Sequence, residues 1–116
     1  MSASTAIDYD GRRFRPAQAP YGPDVQATTG LYHQDGDLVW ADFAGFTVRA
    51  GRLVGIASPD GTIDAAYCYV TTAGETVVGT CVSTPFVLDD GRIGLTERWR
   101  RMDGSSGVSH IEEVRD

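Results

Sequence analysis

The sequence predicts an all-β protein: an antiparallel up-and-down meander of about eight to ten strands, closed into a small barrel. Three observations lead there. Turn signals recur at short intervals along the 116 residues, at Asp10-Gly11, Asp35-Gly36, Pro59-Asp60-Gly61, Ala73-Gly74-Glu75, Asp89-Asp90-Gly91 and Asp103-Gly104. The runs between them are rich in Val, Ile, Thr, Tyr, Phe and Trp, which suit a pleated, half-buried surface. No segment of helix-forming length keeps a 3.6-residue apolar period without Gly or Pro. A chain this short cannot leave a long flat sheet with two open edges, so closure is the economical arrangement; a sandwich is the competitor.

Taken in order, the first strand is expected near 12–16, after Asp10-Gly11. Ala17 to Gln26, with Pro20, Gly22 and Pro23, reads as a loop across one end of the barrel. Strands near 27–34 and 37–44 flank Asp35-Gly36, and a long one follows at 46–57, with Gly51 the expected bend. The turns at Gly61 and Gly74 bound 62–71, and 76–87 is long enough to bend at Pro85. Asp90-Gly91 opens 92–101, and the last strand is expected at 108–114. Residues 1–8 are expected to be flexible and 9–116 to form a single domain.

Side chains alternate across a strand. In 92–101 one face carries Ile93, Leu95, Glu97 and Trp99, and the other Arg92, Thr96, Arg98 and Arg100. The first face must point inward, which puts the Glu97 carboxylate on an apolar row. Such a group costs several kcal/mol unless it is paired or shifts its pKa upward. Internal pairing with Arg or Tyr, a ligand contact and an acid/base role are the three explanations. Ile63, Ala65, Tyr67 and Tyr69 form the better inner row of their strand, either as core fillers or with hydroxyls aimed at Glu97 or a ligand. Val39, Ala41 and Phe43 are preferred over Leu38, Trp40 and Asp42, because they bury no charge. The last strand offers Val108, His110, Glu112 and Val114 against Ser109, Ile111 and Glu113. If the first row faced in, His110 and Glu112 would join Glu97 in an acid/base cluster; a solvated surface pair is the plainer alternative.

Composition narrows the function classes. The formal net charge is −6, all ten cations are Arg, and neither Lys nor Asn occurs. Schiff-base chemistry and N-glycosylation are therefore excluded, and an acidic chain is a poor nucleic-acid binder. Met1–Asp10 has no cationic start or apolar stretch of signal-peptide length, and no apolar run is long enough for a spanning helix, so a cytoplasmic location away from membranes is expected. His33, His110, Cys68 and Cys81 are too few and too scattered for structural zinc. No metal or cofactor is expected. A three-residue loop Ala73-Gly74-Glu75 pairs Cys68 with Thr80, turns Cys81 toward the face of Tyr67 and leaves two free thiols; a two-residue turn would set them opposite each other. Ser83 with His110 lacks a nucleophile elbow, and phosphate loops are missing.

The string from Tyr9 to Glu113 resembles a family of small bacterial proteins of about this length. The matches include Tyr9-Asp10-Gly11-Arg12, Tyr32 with Gln34, Gly51 with Leu53, Ala73-Gly74-Glu75, Ser83-Thr84-Pro85, Asp90-Gly91-Arg92 and Glu112-Glu113. Tyr67, Cys81, Glu97 and Trp99 are the more specific ones. The resemblance implies an avidin/lipocalin-type, calycin-like barrel. Members often carry the label N-acetylglutamate synthase. Arg52-Leu53-Val54-Gly55-Ile56-Ala57 matches the acetyl-CoA pyrophosphate loop as a string, yet a turn and another strand follow where a helix N-terminus must receive the phosphates. The sequence does not support that label. Cys68 and Tyr69 stand where members tend to carry His, so chemistry resting on those imidazoles is not expected here. Gly30 and Ala65 replace bulkier residues and would widen the interior if both face it.

Three functions follow as expectations. The first is binding of a small apolar or amphipathic molecule in the barrel or at its mouth, lined by Tyr32, Tyr67, Tyr69, Cys81, Glu97 and Trp99. The second is a cofactor-free isomerase, cyclase or lyase of secondary metabolism, with Glu97 as general acid or base and Tyr67 or His110 as proton partner. The third is an interaction module that forms a homodimer through an outer face.

Overall fold

The computed structural model describes residues 7–17 and 28–115. Eight strands run in chain order: β1 (Arg13–Pro16), β2 (Thr29–Asp35), β3 (Leu38–Gly45), β4 (Val48–Ala57), β5 (Ile63–Thr71), β6 (Thr76–Val87), β7 (Ile93–Arg101) and β8 (Ser106–Val114). Each pairs antiparallel with the next, and β1 pairs β8 to close the barrel. The described residues contain no helix. Residues 1–6 and most of the loop expected at 17–26 lie outside the described residues. Ile7 is already packed against the core, and the Ala17 amide donates to the His110 carbonyl.

Four hairpins share one turn chemistry. At Ser58–Thr62, Thr71–Glu75, Leu88–Arg92 and Arg101–Ser105, the glycine in fourth place donates its amide to the first carbonyl, and the first amide donates to the fifth carbonyl. Each glycine has φ between 84° and 92°, the left-handed conformation that closes a three-residue loop. In three of them the Asp before the glycine accepts the fifth amide: Asp60 from Thr62, Asp90 from Arg92 and Asp103 from Ser105. The Thr62 amide contributes most to holding Asp60 below the usual carboxylate range; at Asp103 the Ser105 hydroxyl contributes most, ahead of its amide, and at Asp90 the Arg92 side chain does. In the fourth turn Ala73 takes that position, and the Thr71 hydroxyl accepts the Glu75 amide instead. The loop therefore spans Thr72–Gly74, and Cys68 faces Val78 rather than the expected Thr80. Both thiols are free, with Cys81 buried and Cys68 exposed.

The inner rows follow the alternation. Val39 and Ala41 are buried on β3, Leu53 and Ala57 on β4, and Ile63 and Ala65 on β5. Trp40 faces outward and stacks on His33 with centroids 5.3 Å apart. On β8 the inner row is Ser109, Ile111 and Glu113. His110 is exposed, and its Nδ1 lies 3.2 Å from the Thr96 hydroxyl on the outer face. The inward cluster of His110 and Glu112 beside Glu97 is thereby overturned; Glu112 lies 3.6 Å from Arg92 instead. Register runs unbroken through Gly51 and Pro85, where the sequence predicts bends, and shifts around Ala44 and Arg49.

One end of the barrel is packed solid. Tyr9, Phe14, Tyr32, Val39, Ala57, Ile63, Ile93 and Leu95 form a continuous buried cluster there. The Tyr9 hydroxyl donates to the Gly61 carbonyl, fixing the segment before β1 under the strands. Among the described residues, the interior opens at the far end, beneath the Thr71–Glu75 and Arg101–Ser105 turns.

Candidate functional site

Three inner cross-strand pairs shape the open end. Phe43 faces Gly51, Tyr67 faces Gly79 and Trp99 faces Gly107. A Cβ on Gly51 or Gly107 would collide with its partner's ring, and one on Gly79 with the Arg100 carbonyl and the phenol end of Tyr67. The rings therefore lie flat on the neighbouring backbone instead of standing across the barrel. Gly30 and Ala65 add inward positions with little or no side chain. The result is a cavity of about 430 Å³, within the range of small-molecule sites.

Tyr32, Tyr67, Tyr69, Cys81, Glu97 and Trp99, the six residues expected to line a ligand site, all border this one cavity. Tyr67 and Tyr69 stack with centroids 6.2 Å apart, and Phe43 meets Tyr69 edge-on. His110, the remaining catalytic candidate, reaches only the rim, with its imidazole exposed outside. The cavity also touches Phe14, Leu53, Ser109 and Ile111.

Glu97 is flanked by Ser83 on β6 and Ser109 on β8. Ser83 is 1% exposed and its hydroxyl lies 4.0 Å from the Cys81 sulfur. Ser109 Oγ accepts the Trp99 indole N–H at 2.9 Å. Among the described residues no hydrogen bond or ion pair reaches the Glu97 carboxyl. Desolvation alone pushes it up to about 7. Burial, and secondarily Glu97, pushes the Cys81 thiol up to about 11, leaving it a poor nucleophile at neutral pH. Tyr32 is raised well above its usual value, first by burial and then by Glu97. Burial also raises Tyr67, with Arg101 opposing.

Arg101 is the site residue that the sequence reading missed. It continues the inner row 93, 95, 97, 99 by one step, so the alternation already contained it. Its Nη2 donates to the Tyr69 hydroxyl at 2.9 Å, and its guanidinium carbon sits 4.9 Å from the Trp99 centroid. The Nε is buried with no hydrogen-bond partner among the described residues. No group of three or more metal-ligating side chains converges among those residues.

A closed antiparallel barrel with one packed end and an aromatic cavity at the other belongs to the class of small barrels that can enclose one ligand. The sequence model of the avidin-like protein family matches residues 7–114, and the chain belongs to that family. No curated protein and no solved structure matches it. The avidin-like barrel is consistent with small-molecule binding. The acetyl-CoA-like string Arg52–Ala57 lies within β4 and leads into the Ser58–Thr62 turn.

Proposed function

We propose that the barrel binds one small amphipathic molecule at its open end. Aromatic rings supply the contact area, and Glu97 and Arg101 fix orientation. The observation that carries this reading is an aromatic cavity holding a carboxyl with no described protein partner. Glu97 is half-buried on an otherwise apolar row, and holding a carboxyl there without a partner is unfavourable. Two free thiols, one buried and one exposed, fit a reducing cytoplasm. Native mass spectrometry of protein purified from its own host tests the proposal. Retention of one small molecule, lost on substituting the cavity residues Tyr67 or Trp99, supports it. A wild-type protein that arrives empty and takes up no apolar or amphipathic compound rejects it.

A second reading has its own observation. A carboxyl near 7 exchanges protons readily at neutral pH, as a general acid or base requires, and Tyr67 borders the same cavity. Turnover abolished in Glu97→Gln while affinity is kept would favour this enzyme. Unchanged turnover removes Glu97 from catalysis.

A further inference from the structure

Glu97 occupies an unusual position for an acid without a described partner. One inward guanidinium borders the cavity, that of Arg101, yet it forms no ion pair with Glu97; Arg15 touches the same space, but next to the buried Phe14 its side chain is exposed on the outer face of β1. Arg101 shares its inner row four residues on, roughly 13 Å along the strand. That guanidinium is committed elsewhere, laid over Trp99 and bonded to Tyr69. The cross-strand neighbours of Glu97, Ser83 and Ser109, donate no hydrogen bond to it. Among the described residues, no side chain meets its negative charge.

The surrounding walls narrow what can meet that charge. Aromatic rings present negative π faces, which attract a cation held over them and offer an anion nothing. Tyr32 and Tyr67 border the same space as the carboxyl, as does Trp99, whose ring already carries the Arg101 guanidinium. Rings plus one acidic group form the recurring recognition chemistry for alkylated ammonium groups. The net charge of −6 favours approach of cations to the molecule as a whole.

Resting on the reading that the barrel holds a small molecule, we infer that this molecule is an organic cation, its ammonium seated between the Glu97 carboxyl and the aromatic walls. The cation lies deep, and the tail points to the mouth. Arg101 repels a second positive charge there and accepts a neutral or anionic tail.

Two isosteres test this: phenyltrimethylammonium, and tert-butylbenzene, in which carbon replaces the charged nitrogen. Calorimetry at pH 8 on the whole protein is expected to give about tenfold or greater preference for the cation. That preference fades at pH 5.5, where Glu97 is protonated. Across this range Tyr32, Tyr67 and Cys81, all raised by burial, stay neutral; the Arg101 guanidinium lies on the same inner row as Glu97 and bonds the Tyr69 hydroxyl. Tyr69 faces the cavity, and the exposed His110 ring lies outside it. Binding of the cation near pH 7 releases roughly half a proton, seen as a dependence of the heat on buffer ionisation enthalpy. Glu97→Gln loses about the same tenfold for the cation and none for tert-butylbenzene; the pH arm makes the same test on unaltered protein. Equal binding of both probes, with no pH or Gln effect, overturns the cation and leaves the ligand-binding barrel standing. If neither probe binds, both fall.

Discussion

Arg12 and Glu113 lie 101 residues apart and meet where the barrel closes. The Arg12 Nη1 lies 2.9 Å from each Glu113 oxygen, and Oε1 also accepts the Ile93 amide at 3.1 Å. The Arg12 Nε donates to the Asp8 carbonyl at 2.7 Å. One carboxylate thus joins the segment before β1 to β7 and β8, and only 6% of Glu113 is exposed.

Removing that carboxylate orphans the Ile93 amide and the Arg12 guanidinium together. Glu113→Ala is expected to cost about 2–4 kcal/mol in urea unfolding. A loss below about 0.5 kcal/mol would mark the pair as an ordinary solvated one.

Glu97 gives stability an inverted pH dependence. Its native value, about 7, lies above the ordinary 4.5, so between these values the folded chain holds more protons than the unfolded chain. This contribution is complete below about 4.5 and is lost as pH rises through about 7. Wild-type stability should fall by about 2–3 kcal/mol across that window, from this group alone. In Glu97→Gln the slope should flatten. Chemical denaturation at pH 5 and pH 8 for both proteins checks it, and parallel profiles would contradict it.

The flat-lying rings predict a specific rescue. Gly51→Ala drives a methyl into the Phe43 ring and should cost about 1–3 kcal/mol. In a Phe43→Ala background the same change should be nearly free, giving a double-mutant coupling of about 1–2 kcal/mol. Gly55→Ala serves as the contrast: its methyl meets the Asp64 carbonyl oxygen, and no side-chain truncation relieves it.

Thiol labelling separates the two cysteines. In the folded protein one equivalent of Ellman's reagent should react rapidly, at the exposed Cys68. Cys81, buried and pushed up to about 11, should react only on unfolding. Two fast thiols would mean an interior more open than described.

Much of this was readable from residue alternation. A strand with one apolar face and one arginine-rich face has a single sensible orientation, which puts Glu97 and Trp99 inside, and one more step along the row reaches Arg101. The last strand resisted because His110 and Glu112 on one face balance Ser109 and Glu113 on the other; only its pairing with β7 and β1 decides. The offset of Cys68 was hidden in turn chemistry, where Thr71 replaces the usual Asp and shifts the loop by one residue. Arg12 with Glu113 had no local signature, since the contact exists only once the first and last strands meet.

The rings resting on Gly51, Gly79 and Gly107 decouple the scaffold from what it can hold. Each aromatic could be exchanged for a smaller group without displacing a strand, whereas the reverse change at the glycines is blocked. Selectivity can therefore be retailored one wall at a time, and the barrel offers itself as a host whose guest is chosen by three substitutions rather than by a new architecture.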